Sequence, residues 1–380
     1  MAFVFKHLPE EIIVDIFSRL PLKYLVRCRA VAKPWLHFLT ISTFPQWLLQ
    51  RHISCDPLIP CPHDQSFLML TYDTHGYIDN RPECKLLAMG GGSQERNFRV
   101  ASEINSPLIR GKISYQIKTA CCNGLLCLLI DDDNSLVLWN PSTGGHKSIP
   151  VPEVSYFPRG VCGLGYDPVT DDYKVVTILH KKVMHVFSVK NNHWRRIGDF
   201  PNMIGLPYVF FEEGIPINGS LYWTGTRMYK IGDLIIRLNL SNNRLTEVPL
   251  PPYEWKQEKA SCKLMTELNL LAWGNSLCVH SQFDQSMWVL KEDEDRENGG
   301  IRYIWTHMMT LPKISYHDYL LQPRCFTKSG KLVVFVKSRN YVLFDGRGYE
   351  DLHVEGLVDS YHSSVVYNQS LISPQFLGRN

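Results

Sequence analysis

The chain has 380 residues, of which 44% are hydrophobic and 20% charged, with a formal net charge of +3. That length admits more than one domain, and that balance excludes a chain disordered throughout. Six Lys/Arg against three Asp/Glu in residues 1–50 account for the charge excess, leaving a near-neutral remainder that argues against nucleic-acid binding.

The first element in chain order is LPEEIIVDIFSRLP, Leu8 to Pro21. Ile12, Ile13, Ile16, Phe17 and Leu20 step by three and four, the spacing of an apolar stripe on a helix. Pro9 suits a first helical position, Glu10 and Glu11 oppose the helix dipole, and Pro21 ends the helix. Leu22, Leu25 and Val26 predict a second helix with Lys23, Arg27 and Arg29 facing out. Lys33-Pro34-Trp35-Leu36 begins a third. Three such helices bury little surface among themselves, yet carry generous apolar content. Periodicity alone leaves two readings open: docking on another protein, or docking on the rest of the chain.

From about residue 66 the pattern changes to short apolar runs between turn signals. In CCNGLLCLLIDDDNSLVLWNPSTGGHKSIP, Asn123-Gly124 predicts a turn, Leu125 to Ile130 a strand, Leu136 to Trp139 another, and Asn140 to Gly145 a second turn. Looser copies follow. Their markers Gly124, Gly165, Gly219, Gly274 and Gly330 are 41, 54, 55 and 56 residues apart, the scale of four-stranded propeller blades with insertions. Residues 66–118 supply one more, degenerate unit. Blades packed around an axis cover faces that no single meander can bury. Five to seven blades fit, and Ser363 to Tyr367 is a candidate closing strand. The expected fold is α+β and multidomain: a three-helix module at 1–50, a linker at 51–65, and an all-β, propeller-like domain at 66–375.

Chemistry is hard to find. Catalysis needs a nucleophile, base and orienter, or a metal set. Gly163-Leu164-Gly165 is half of a dinucleotide fingerprint and runs into a Tyr166-Asp167-Pro168 turn. Cys55, Cys61 and His63 lack regular zinc spacing and a fourth ligand. Asp131 to Asn134 lacks the Gly and distal Glu of a calcium loop. Cys121-Cys122, beside a turn and an apolar strand, suit buried packing over a reactive thiol. The charged run Lys291 to Glu297 is expected as a long exposed hairpin loop. No catalytic residue, metal or cofactor is expected. The 11 Cys, an odd number set in apolar runs, suit reduced thiols in the cytoplasm or nucleus. MAFVFKHLPEE shows no secretory pattern, and no run reaches 18 apolar residues, so no membrane partner is expected.

Two resemblances follow from these residues. Leu8-Pro9-x-Glu11-Ile12, Ile16, Ser18-Arg19-Leu20-Pro21, Leu25-Val26-Arg27, Val31, Lys33 and Trp35 resemble an F-box of the plant type, with Ala32 and Pro34 departing from the usual residues. CCNGLLCL, WNPSTGGHKSIP, GLGYDPVTDDYKVV, INGSLYW, SMWVLKE and YHSSVVYNQSLISP resemble the F-box-associated domain of type 1 (FBA), found in S-locus-F-box-like and immune-control F-box proteins of plants. The resemblance implies a non-catalytic substrate receptor of an SCF-type (cullin-RING) ubiquitin ligase. Its F-box would bind a Skp-family adaptor, and through it cullin and RING subunits; its β-domain would hold an unknown protein substrate. Leu8, Pro9, Ile12, Leu22, Leu25, Val31 and Trp35 are the expected adaptor contacts, with Trp35 the strongest, because an aromatic in a desolvated groove commonly costs ~2 kcal/mol or more on truncation. Ile13, Ile16 and Phe17 are the alternative, holding the helices together. A rival function is an adaptor-bound decoy or scaffold that never ubiquitinates.

Overall fold

The computed structural model describes residues 9–40, 44–53, 65–71, 83–89, 97–104, 117–130, 135–150, 161–178, 183–199, 213–226, 233–252, 268–295, 300–313, 321–327, 330–336, 340–354 and 362–377. Leu8, Cys55, Cys61, His63 and Asp131 to Asn134 lie outside these residues.

The chain opens with α1 (Glu10–Ser18), α2 (Leu22–Cys28), α3 (Lys33–Phe38) and a fourth helix, α4 (Phe44–Ile53), which the sequence pattern did not announce. Pro9 and Pro21 sit one residue before their helices, not inside them, and their carbonyls accept the first helical N–H groups. Pro34 does fall in the first turn of α3. The helices pack through Phe17, Leu25, Leu39, Phe44 and Leu48, each at most 4% exposed.

Among the described residues the strands form six sheets, antiparallel throughout except where β24 joins the first one parallel to β3. Five have four strands each. The second blade is β4 (Ile117–Cys122), β5 (Leu125–Ile130), β6 (Ser135–Trp139) and β7 (His146–Ile149). The third is β8 (Val161–Asp167), β9 (Asp172–Ile178), β10 (Val183–Ser188) and β11 (His193–Asp199). The fourth is β12 (Ile215–Ile217), β13 (Ser220–Thr226), β14 (Asp233–Asn239) and β15 (Leu245–Val248). The fifth is β16 (Leu268–Trp273), β17 (Ser276–Ser281), β18 (Ser286–Asp295) and β19 (Gly300–Thr310). The sixth is β20 (Leu321–Phe326), β21 (Leu332–Val336), β22 (Asn340–Phe344) and β23 (Tyr349–Asp351). The first blade joins the two ends of the domain. It holds β1 (Gln65–Thr71), β2 (Glu83–Met89), β3 (Asn97–Ile104) and β24 (His353–Val354), and is closed by β25 (His362–Asn368). β25 pairs antiparallel with β1 from Gln65↔Asn368 to Thr71↔His362, so the proposed closing segment does close the ring.

The innermost strands touch in a cycle: β4 beside β8, then β12, β16, β20, β25 and β4 again. This is a β-propeller. Between blades the core is apolar, as in the cluster of Val176, Leu221, Trp223, Leu234, Ile236 and Leu240 spanning the third and fourth blades. Gly163 and Gly165 serve this packing. A Cβ on Gly163 would lie 2.8 Å from the Trp223 ring, and one on Gly165 would lie 2.5 Å from Leu240. The half-fingerprint is thus a site where one blade's backbone approaches the next blade's side chains.

The tight turns gather at one end of the ring. Asn123-Gly124 and Asn218-Gly219 each have two consecutive positive φ angles (53° and 74°, 44° and 69°), the conformation that Asn-Gly adopts at least cost. Asn218 Nδ2 donates to Asn275 O at 2.9 Å across to the next turn. The strand ends that lead from one blade to the next lie at the opposite end. The charged run differs from its expectation: Lys291 to Asp295 is strand, in a long hairpin that continues past the end of β17. Lys291, Glu292 and Asp293 are all exposed, and Glu292 accepts from the Tyr222 hydroxyl at 2.5 Å and pairs with Arg237 at 3.5 Å, tying the hairpin to the fourth blade.

Candidate docking surface and its support

The helical module presents an outer apolar face. Ile12 is 46% exposed, Ile16 38%, Tyr24 43%, Val31 64% and Leu36 43%. Lys23 and Arg27 flank the Tyr24 ring, at 5.0 and 5.9 Å from its centroid. The stripe read from the sequence is wider than one buried face needs, and it divides. Ile13, Phe17 and Leu20 turn toward the other helices, while Ile12 and Ile16, one turn apart, look out.

The expected contact residues divide in the same way. Pro9, Ile12 and Val31 are exposed. Leu22 packs partly into the helical core, and Leu25, at 1% exposure, lies wholly within it. Trp35 is half-buried and sets its ring edge-on to Phe17, with centroids 5.5 Å apart. Tyr24 and Leu36 were missed by the sequence reading, and Ile16 was placed inside. Their signal was available: they are apolar residues beyond the arc that Phe17 and Leu25 define.

The propeller's polar groups are buried braces. Asp167, fully buried, accepts from Lys174 Nζ at 2.8 Å, Ser241 Oγ at 2.5 Å, Thr170 Oγ1 at 2.6 Å and the Val169 N–H at 3.0 Å. Lys174 Nζ also donates to Leu240 O at 2.6 Å, tying the third blade to the fourth. Burial alone would raise the Asp167 pKa, but these four donors outweigh it and hold the carboxyl well below the usual range. His280 is fully buried, with Nε2 3.1 Å from Gln285 Oε1 and Nδ1 3.3 Å from Asn269 Nδ2. Burial lowers its pKa to about 4. These groups stiffen the turn that carries Phe283, 38% exposed, at the end opposite the tight turns.

Burial pushes the Cys121 and Cys278 thiols up to about 12, and those of Cys122 and Cys325 higher, so all four stay protonated at neutral pH. Among the described residues no group of three or more His, Cys, Asp or Glu could hold a metal ion. Among them, too, no helix is long and apolar enough to cross a membrane.

A small helical module with an apolar outer face, set on a propeller, defines a class of binding protein. The chain belongs to the family of the F-box associated beta propeller domain, whose model matches residues 91–374, and residues 5–41 match the F-box-like model. It is similar to F-box protein CPR1 of Arabidopsis thaliana, 27% identical, with 96% of this chain and 89% of that protein covered. An Arabidopsis thaliana F-box/kelch-repeat protein is 24% identical over 98% of this chain and 97% of its own. F-box protein DOR of the same plant is 24% identical, covering 77% and 73%.

Proposed function

We propose that this protein is the substrate-recognition subunit of an SCF-type ubiquitin ligase. Residues 1–50 bind a Skp-family adaptor that leads to the cullin and RING subunits, and residues 66–375 hold a target protein for ubiquitination and degradation. The observation that carries this reading is the exposed apolar face of an F-box, with Ile12, Ile16, Val31 and Leu36 turned outward. Large apolar side chains grouped on a surface mark a protein contact. In this reading Pro9, Ile12 and Val31 touch the adaptor directly, as does Leu8, while Leu22, Leu25 and Trp35 shape the face from beneath.

The protein itself performs no chemistry. It raises the effective concentration of the target's lysines near a ubiquitin-loaded enzyme. The target is held at the ring end opposite the tight turns. That end bears the interblade strand ends and Phe283, and it faces away from the contact with the helical module. Cytoplasm or nucleus is the compartment this role requires.

Capture of the full-length chain on a purified Skp-family adaptor tests the reading. The wild type should be retained, and Ile12→Asp/Val31→Asp should lose at least tenfold in affinity while melting normally. Retention of both forms, or of neither, refutes it. Capture without ubiquitin transfer to any copurified partner would identify a decoy instead.

A further inference from the structure

The stretch that follows β25 belongs to two cores at once. Ser370, Leu371, Ile372 and Ser373 are 4%, 1%, 2% and 5% exposed. Ile372 joins the propeller core of Cys127, Leu138 and Val175. Its neighbour Leu371 joins Phe17, Leu25, Leu39, Phe44 and Leu48 of the helices. The backbone on both sides of Leu371 is gripped by one buried side chain from the WNPST motif. Asn140 Nδ2 donates to Ser370 O at 3.0 Å and to Ile372 O at 2.6 Å. Asn140 Oδ1 accepts from the Tyr367 hydroxyl at 2.8 Å, and the Ser142 N–H donates to that hydroxyl at 3.0 Å. A residue fixed this firmly to the ring cannot follow the helices if they swing.

We infer that Leu371 is a positioning residue: the Asn140-held tail inserts it into the helical core and so fixes the angle between the F-box and the propeller. This rests on the function proposed above, because the angle matters where a target must be presented to a distant enzyme. Effective concentration depends on how narrowly the connection restricts reach. A fixed angle selects which lysines come within range.

The test uses the full-length chain as wild type, Leu371→Ala, Leu371→Met, and Val169→Ala as a control at an exposed position. Small-angle X-ray scattering of the free chain reports the coupling without an adaptor. Self-ubiquitination in a reconstituted ligase, with modified lysines mapped by mass spectrometry, reports its consequence. Leu371→Ala should keep adaptor capture and the propeller's melting transition, yet broaden the distance distribution and at least double the number of modified lysines. Leu371→Met, which refills the site, should restore both. Scattering and lysine pattern unchanged in Leu371→Ala overturn the inference. Loss of capture or of the melt in that variant also overturns it, since the residue would then be only a core filler. If the wild type itself fails to bind the adaptor, the proposed function falls, and the scattering comparison still decides the coupling.

Discussion

Asp167 and Lys174 bear on stability as a pair. Replacing Asp167 by Asn removes the negative charge and leaves a buried ammonium, 11% exposed at its side chain, facing an amide. Breaking a buried pair from one side costs about 3–5 kcal/mol, and urea unfolding of Asp167→Asn should show a loss of that order. Because the folded carboxyl titrates below its unfolded value, its contribution is present above about pH 4 and disappears as pH falls further. His280 acts in a different interval. Its folded pKa of about 4 lies below the ordinary 6.5. Between those values the unfolded chain takes up a proton that the folded chain refuses, so stability should drop as pH falls from 6.5 toward 4, by up to about 3 kcal/mol. His280→Gln should flatten that slope in chemical denaturation across the interval. A slope unchanged by the substitution would assign the loss to other groups. Neither role was legible in the sequence. Asp167 read as part of a turn but ends strand β8, and its bond from Ser241, like the Lys174 bond to Leu240 O, comes from the following blade.

Strands and helices were legible wherever the deciding contacts are local. Leu125–Ile130 and the run to Trp139 were found because an Asn-Gly turn and continuous apolar stretches need no distant partner to be recognised. Lys291 to Asp295, in the outer part of the β18–β19 hairpin, was expected as a loop because an all-charged run hides its strand pairing, and the Tyr222 and Arg237 contacts of Glu292 come from another blade. One device recurs between blades and carries its own test. Trp194 on β11 donates its indole N–H to Pro150 O at the end of β7, and Trp305 on β19 donates to Pro249 O, 2.7 Å away, at the end of β15. Trp305→Phe removes the donor together with the five-membered ring that carries it, and should cost at least about 0.5–1.5 kcal/mol in thermal or urea unfolding. The interblade glycines give a sharper comparison. Gly163→Ala forces a methyl against the buried Trp223 ring and should cost about 1–3 kcal/mol, while Gly348→Ala, with open space around it, should stay within about 0.5 kcal/mol of wild type.

The ring is completed by residues far apart in sequence, and this is why the blade number stayed open between five and seven. Five blades are continuous segments with a marker glycine each; the remaining one is divided between β1 to β3 on one side and β24 and β25 on the other. Removing residues from 362 onward should leave β1 without its inner neighbour and abolish the cooperative melt, as followed by circular dichroism. Survival of a single sharp transition would mean that the five continuous blades suffice. The order of synthesis gives the closing strand a further consequence. While the chain is being made, the helices emerge first, but the Leu371 place in their core stays vacant until residue 371 has left the ribosome, and β1 stays unpaired on its inner side until β25 follows. The helices and the ring closure therefore mature together. A product of premature termination lacks the ring closure and the last piece of the helical core by the same event.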